Sequence, residues 1–93
     1  MQSGNTKDIS LRLLDWGLTR AITLVSLRQL IREYHLTPGY TLLLHPADFG
    51  KILMEHRNFH GYAMRVPHFI EGVKIKEDFT RKVLPARVGV LKG

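Results

Sequence analysis

The chain has 93 residues, of which 44% are hydrophobic, a formal net charge of +6 and no cysteine. This length fits one small domain, and the hydrophobic content is too high for a disordered polypeptide. The absence of cysteine excludes disulfides, thiolate catalysis and zinc sites of the cysteine type. The surplus of positive charge favours acidic partners, namely nucleic acid, a membrane surface or an acidic protein.

Residues 1–8 are polar, contain a glycine and show no periodicity. We therefore expect a flexible N-terminus, followed by a single domain over residues 9–93. The N-terminus has no apolar segment of signal-peptide length, and no apolar run in the chain is long enough to span a bilayer. These features predict a soluble, intracellular protein without a membrane partner.

Residues 9–18 permit two interpretations. Apolar side chains at alternate positions fit a strand, whereas Leu11, Leu14 and Leu18 recur at helical spacing. The segment Asp15-Trp16-Gly17 interrupts both patterns. The sequence therefore leaves open whether residues 9–35 form one helix or two elements.

An amphipathic helix is predicted next, because apolar residues recur at three- and four-residue steps from Leu24 to Tyr34. Its start is either a capping box of Ser26 and Gln29 or an earlier cap at Thr19. The helix should end before the segment LTPGY, where proline and glycine favour a turn.

A strand followed directly by a helix is predicted from the segment TLLLHPADFGKIL. Residues 40–44 form a compact apolar run of strand length, and Pro46 suits the first turn of a helix, where its missing N–H is not needed. Asp48 then lies near the positive end of the helix dipole. His45 is accordingly interpreted as a junction or capping residue rather than a catalytic base. The buried face of the helix is predicted to carry Phe49, Ile52 and Leu53.

The remainder of the chain predicts short strands. GYAMRVPHF is interpreted as a loop, and FIEGVKIKED as a strand or a tight hairpin that turns at Glu71-Gly72. ARVGVL predicts a final strand with Ala86, Val88 and Val90 on one face. The predicted fold class is α+β: an N-terminal helical segment followed by strand, helix, strand and strand in a small, mainly antiparallel sheet.

Motifs for catalysis are absent from the sequence. No Walker loop, G-x-G-x-x-G or G-x-S-x-G occurs. Glu77-Asp78 is not a convergent carboxylate pair if both residues lie in a strand, where adjacent side chains point to opposite faces. We therefore predict no catalytic residue, no cofactor and no enzymatic activity.

The five histidines support only a weak metal hypothesis. His56 and His60 share a helix face at a spacing of four residues, but the pattern H-E-x-x-H is not present. A small metal protein using these two residues and His45 is the hypothesis we weigh least. His35 and His68 are interpreted as isolated turn or surface residues.

The basic residues are scattered and form no long run. If the chain binds nucleic acid, the predicted phosphate contacts are Lys74, Lys76, Arg81, Lys82 and Arg87. Aromatic residues that could stack on bases, Tyr62, Phe69 and Phe79, lie among these cations, although no RNA-recognition motif is legible. Trp16 and Leu18 are predicted as interface residues for contact with another chain.

The segments TLLLHPADFGKIL, IEGVKIKED and ARVGVL together resemble a part of the major capsid proteins of tailed bacteriophages. The resemblance covers residues 38–91 and includes a strand ending in His-Pro, a helix with an early acidic residue and a late x-V-G strand. Those capsid proteins are several times longer, so most of their fold has no counterpart in this chain. The resemblance implies a small phage- or prophage-type virion protein, or a subdomain shared with an assembly factor, and it implies no catalytic residues and no cofactor.

We therefore expect a non-enzymatic structural or assembly protein that acts through protein–protein contacts, in the cytoplasm or in a virion. It should form a homo-oligomer or join a larger protein assembly. The alternative is a small basic nucleic-acid-binding module, for which the surplus of cations is the support.

Overall fold

The computed structural model describes residues 11–92, which form five strands, two α-helices and one 3-10 turn. The N-terminus that we expect to be flexible, residues 1–8, lies outside the described residues. In chain order the elements are β1 (Leu11–Leu14), the 3-10 turn (Trp16–Leu18), α1 (Leu24–Glu33), β2 (Tyr40–Leu44), α2 (Pro46–His60), β3 (His68–Ile70), β4 (Val73–Glu77) and β5 (Val88–Lys92).

The five strands form one mixed sheet in the order β1-β5-β2-β4-β3. The prediction of an α+β fold is confirmed, but the prediction of a mainly antiparallel sheet is wrong. Strands β2 and β4 run parallel, because the long crossover through α2 lets the chain return in the same direction. The N-terminal segment is also not wholly helical, since β1 pairs antiparallel with β5 from the opposite end of the chain.

Helix α1 begins at a capping box. The Thr23 side chain accepts a hydrogen bond from the Ser26 amide, and the Ser26 hydroxyl accepts one from the Thr23 amide, each at 3.0 Å. Both predicted starts are therefore wrong: Ser26 is the last residue of the box, at the third position of the helix, rather than its cap, and Thr19 precedes the helix. The end of α1 before LTPGY is confirmed.

Helix α2 confirms the predicted change from strand to helix. His45 is the N-cap, and its Nδ1 accepts a hydrogen bond from the Ala47 amide at 3.0 Å. Pro46 occupies the first turn, and Gly61 ends the helix in the left-handed conformation at φ 82°. The imidazole of His45 thus serves the backbone of this junction.

Strands β3 and β4 form the tight hairpin that was predicted as an alternative to a single strand. Glu71 and Gly72 both have positive φ, 51° and 84°, as a two-residue turn of the hairpin type requires. The final strand begins later than predicted, at Val88. Ala86 lies before it at φ 67°, so it does not share the buried face of the strand.

Both helices pack on one face of the sheet and form a two-layer domain. The core takes its side chains from alternate positions of the central strands and from one face of each helix. Its members include Leu27, Leu30, Ile31, Leu42, Leu44, Phe49, Ile52, Val73, Ile75, Val88 and Val90. No helix within residues 11–92 has the length and apolar character needed to cross a membrane.

Candidate functional site

The sheet face opposite the helices carries side chains that the core does not use, and we call it the open face. Directly paired residues of neighbouring strands share a face, so the strand register defines two rows across it. One row contains Leu11, Leu91, Thr41, Lys74 and Phe69, and the next contains Leu13, Gly89, Leu43 and Lys76.

The open face divides into an apolar half and a basic half. Strands β1, β5 and β2 supply mainly leucines, and Val83 from the β4–β5 connection packs on them. A Cβ atom on Gly89 would lie 3.0 Å from a methyl carbon of Val83, so a larger residue there would require Val83 to shift by a few tenths of an ångström. Strands β4 and β3 supply the basic half, where Lys76 is exposed and Phe69 is 51% exposed.

Phe79 extends the basic half beyond the end of β4. Its side chain is 75% exposed, although burial of a phenylalanine would normally contribute about 2 kcal/mol. It lines one shallow hollow at the edge of the sheet, together with Lys74 and Lys76 from β4 and with Phe49, Val66 and Pro67 from α2 and the segment that follows it. Glu77 is the acidic residue that lines the same hollow.

Asp78 holds the β4–β5 connection in place. Its carboxylate is 2% exposed and accepts hydrogen bonds from the Thr80 amide at 3.0 Å and the Val83 amide at 2.8 Å. Burial alone would raise the pKa of Asp78, but the hydrogen bonds to its charged form, from the Thr80 hydroxyl and three backbone amides, outweigh burial and lower the pKa. The carboxylate therefore anchors a loop that leaves Arg81 and Lys82 exposed.

The predicted site residues do not all lie together. Lys74 and Lys76 lie on the open face, and Arg81 and Lys82 lie on the connection that crosses towards it. Arg87 is instead paired with Asp15, with 2.7 Å between Nε and Oδ1.

Of the two predicted interface residues, Trp16 is in the core of its own chain, with only 4% exposed. Its ring is covered by the guanidinium of Arg20 at 3.7 Å, a cation–π contact. Leu18 is 56% exposed and is available to a partner. Trp16 is therefore a structural residue of this domain.

Most carboxylates of residues 11–92 are occupied by contacts within the chain. Asp48 accepts a hydrogen bond from the Ala86 amide at 2.8 Å, and Glu55 accepts one from the Leu24 amide at 2.9 Å. Glu71 pairs with Arg32, with 2.6 Å between Oε2 and Nη2. Asp15 and Asp78 also have partners within the chain. Glu33 and Glu77 are the remaining carboxylates of residues 11–92, so the surface that the described residues offer to partners is basic.

A second surface lies along α2, and we call it the α2 groove. It is formed by the outer side of α2 and by the segment that follows the helix, and it is lined by Phe49, Gly50, Leu53, Met54, Arg57, Asn58, Ala63, Met64 and Val66. A neighbouring hollow, which we include in the α2 groove, shares Gly50, Met54 and Asn58 with it and adds Lys51 and Phe59. Met54 and Phe59 are 64% and 82% exposed. The cations of the groove, Lys51 and Arg57, form no salt bridge within residues 11–92.

Gly50 has no structural explanation within the described part of the chain. It lies inside α2, where glycine costs about 1 kcal/mol relative to alanine. A Cβ atom at this position would meet no other atom within 4 Å. The glycine therefore lowers helix stability, and no contact in the described residues requires it.

The histidines form a cluster that the sequence pattern did not indicate in full. The ring centroid of His56 lies 4.3 Å from that of His60 and 5.6 Å from that of His68, so the interpretation of His68 as isolated is wrong. Strand β3 brings His68 to the helix. Burial, and then the nearby His56 and His60, lower the pKa of His68. No group of three or more potential ligands within residues 11–92 has a geometry that could hold a metal ion.

Comparison with known proteins adds no relative. No protein-family model matches the chain, and neither the curated proteins nor the solved structures contain a match. The resemblance to capsid proteins of tailed bacteriophages therefore stays a prediction.

Proposed function

We propose that this chain is a non-enzymatic assembly protein that binds another protein through the α2 groove. The observation that carries the proposal is the combination of exposed Met54 and Phe59 with an unexplained glycine on the same helix. Large apolar side chains at this exposure mark interaction surfaces when they form a continuous patch. The sequence resemblance supports a place in a phage- or prophage-type particle.

The partner that fits the groove presents apolar side chains flanked by carboxylates. Lys51 and Arg57 contribute unpaired positive charge to the groove, and Glu55 is committed to the N-terminus of α1. A second copy of this chain would bring another basic surface to the groove, and like charges across an interface are unfavourable. We therefore propose a different chain as the occupant, within a larger assembly.

A displayed library of random peptides tests the groove and reveals the chemistry of its partner at the same time. We expect selection on the wild-type protein to enrich peptides that combine apolar residues with Asp or Glu. Those peptides should lose binding to Met54→Glu by about 100-fold, because the new charge is desolvated beside carboxylates on the peptide. Val25→Glu is the matched control, since Val25 is 61% exposed on α1 and lies outside the groove.

Equal binding of the enriched peptides to the Met54→Glu and Val25→Glu variants would refute the groove. Light scattering tests whether a second copy of this chain occupies the groove instead. A dimer that Met54→Glu dissociates and Val25→Glu leaves intact would show that a second copy fills the groove, and the proposal of a different partner would then be wrong.

A further inference from the structure

We infer that the basic half of the open face, defined by Phe69, Lys74, Lys76 and Phe79, binds single-stranded nucleic acid. The hollow beside Phe79 adjoins the α2 groove, since Phe49 and Val66 line both, but neither lysine and neither of the two exposed rings lines the groove. Neither proposal requires the other. Its features are two exposed aromatic rings and two lysines on or beside one edge of a sheet. Proteins that bind single strands combine such stacking rings with cations that follow the phosphates.

The strand register places one ring and one cation side by side. Phe69 is directly opposite Lys74 in the antiparallel pair of β3 and β4, and Lys76 follows two residues later on the same face. A base that stacks on Phe69 therefore has a phosphate-binding ammonium group beside it. Because every base has a π-face, this contact favours nucleic acid without selecting a sequence.

The second ring lies next to the same lysines. Phe79 lines the hollow that contains Lys74 and Lys76, and burial in the core does not explain its position. The Asp78 carboxylate binds backbone amides of the connection that carries Phe79, so the backbone next to this ring is held in place. The two rings and the two cations together supply both kinds of contact that a single strand uses, stacking of bases and attraction of phosphates.

Single strands fit this surface better than a duplex. Bases in a duplex are stacked on one another, so they cannot lie flat on Phe69 or Phe79 unless they are taken out of the helix. The positive charge of this surface is sufficient to bind only a short segment of a strand. Arg81 and Lys82 extend it on the neighbouring connection, whereas Glu77 reduces it.

Fluorescence anisotropy with a labelled oligothymidylate of about 10 nucleotides tests the inference at low ionic strength. We expect Lys74→Gln/Lys76→Gln to weaken binding about tenfold and to reduce the slope of log K against log salt by about 1.4, the value for two phosphate contacts on a single strand. Lys51→Gln/Arg57→Gln removes the same charge from the α2 groove, and we expect it to weaken binding by less than about twofold.

The aromatic contribution is measured with Phe69→Leu/Phe79→Leu, which keeps the side chains apolar. We expect this variant to lose about tenfold in affinity, because stacking on each ring is removed. A thermal melt of each variant shows whether the fold is retained, and Phe79→Leu alone, at the more exposed ring, provides a second variant if the double substitution unfolds.

Three results with the single strand would overturn the inference. These are no binding by the wild-type protein at low ionic strength, an equal loss of affinity in Lys74→Gln/Lys76→Gln and in Lys51→Gln/Arg57→Gln, or unchanged affinity in the folded phenylalanine variants. A duplex of the same length that binds as tightly as the single strand would also overturn it, because phosphate attraction alone would then account for the affinity.

Discussion

Two glycines should respond in opposite directions to the same substitution. Gly17 lies in the 3-10 turn, and its amide donates a hydrogen bond to the Ala86 carbonyl at 2.8 Å. A Cβ atom on Gly17 would lie 2.7 Å from that carbonyl oxygen and 2.9 Å from the Ala86 Cα. Both are backbone atoms, so the turn and the loop before β5 must move apart to accept alanine.

The expected changes in the free energy of unfolding combine three contributions: overpacking, restriction of the unfolded chain and helix propensity. Overpacking of this kind costs about 1–3 kcal/mol. Alanine restricts the unfolded chain and so returns about 0.4–1 kcal/mol at Gly17, whereas at Gly50 the same effect is already part of helix propensity. We therefore expect Gly17→Ala to lower the free energy of unfolding by about 1–2 kcal/mol. Gly50→Ala meets no atom within 4 Å and should raise it by about 1 kcal/mol through helix propensity.

Chemical denaturation of both variants and the wild type at neutral pH is the assay. For a domain of this size, each 1 kcal/mol corresponds to a shift in Tm of about 4–8 °C, so a thermal melt gives an independent reading. Since the two substitutions are chemically identical, any general effect of adding a methyl group cancels in the comparison. A stable Gly17→Ala variant would refute the close approach to Ala86, and an unstable Gly50→Ala variant would show that the fold itself needs that glycine.

Three further predictions concern carboxylates and the histidine cluster. Asp48→Ala should lower the free energy of unfolding by about 2–4 kcal/mol, because the Ala86 amide loses a buried charged acceptor and α2 loses a dipole contact; in chemical denaturation, a loss below about 0.5 kcal/mol would contradict this role. Because the pKa of Asp78 is lowered, its contribution to stability is fully present above the ordinary Asp pKa and is lost as pH falls through the folded-state pKa. In chemical denaturation from about pH 7 to 3, Asp78→Asn should therefore lose less stability than the wild type. Parallel stability curves for the two proteins would refute the role of Asp78 as an anchor of the loop. The lowered pKa of His68 means that the unfolded chain takes up the proton first, so stability is lost as pH falls from about 6.5 towards the folded-state pKa. NMR titration should show this pKa rising in His60→Gln, which removes one neighbouring imidazole, and an unchanged value would exclude an effect of His60 on His68.

The local elements could be predicted because their signals lie within a few residues. Pro46 next to an apolar run of strand length predicts a strand that ends where a helix begins, since proline tolerates only the first turn. The Glu71-Gly72 turn is similarly local, because few residues accept two successive positive φ values. Both features are present as predicted.

The start of α1 was mispredicted for a local reason as well. Ser26 is a good capping residue, but a box needs an extended residue before the first helical turn, and Thr23 supplies it. Several polar residues precede the helix, and sequence alone does not show which one is extended.

The candidate surfaces needed the tertiary structure. The sequence supplied the alternation of Val73 and Ile75 with Lys74 and Lys76, and hence two faces of one strand. It could not show that Phe69 pairs with Lys74, that His68 reaches His56, or that Trp16 is buried under Arg20. Nor did it predict the parallel pairing of β2 and β4. Turns and helix ends are set by the backbone preferences of adjacent residues, whereas strand order and ring contacts depend on how distant segments share one core.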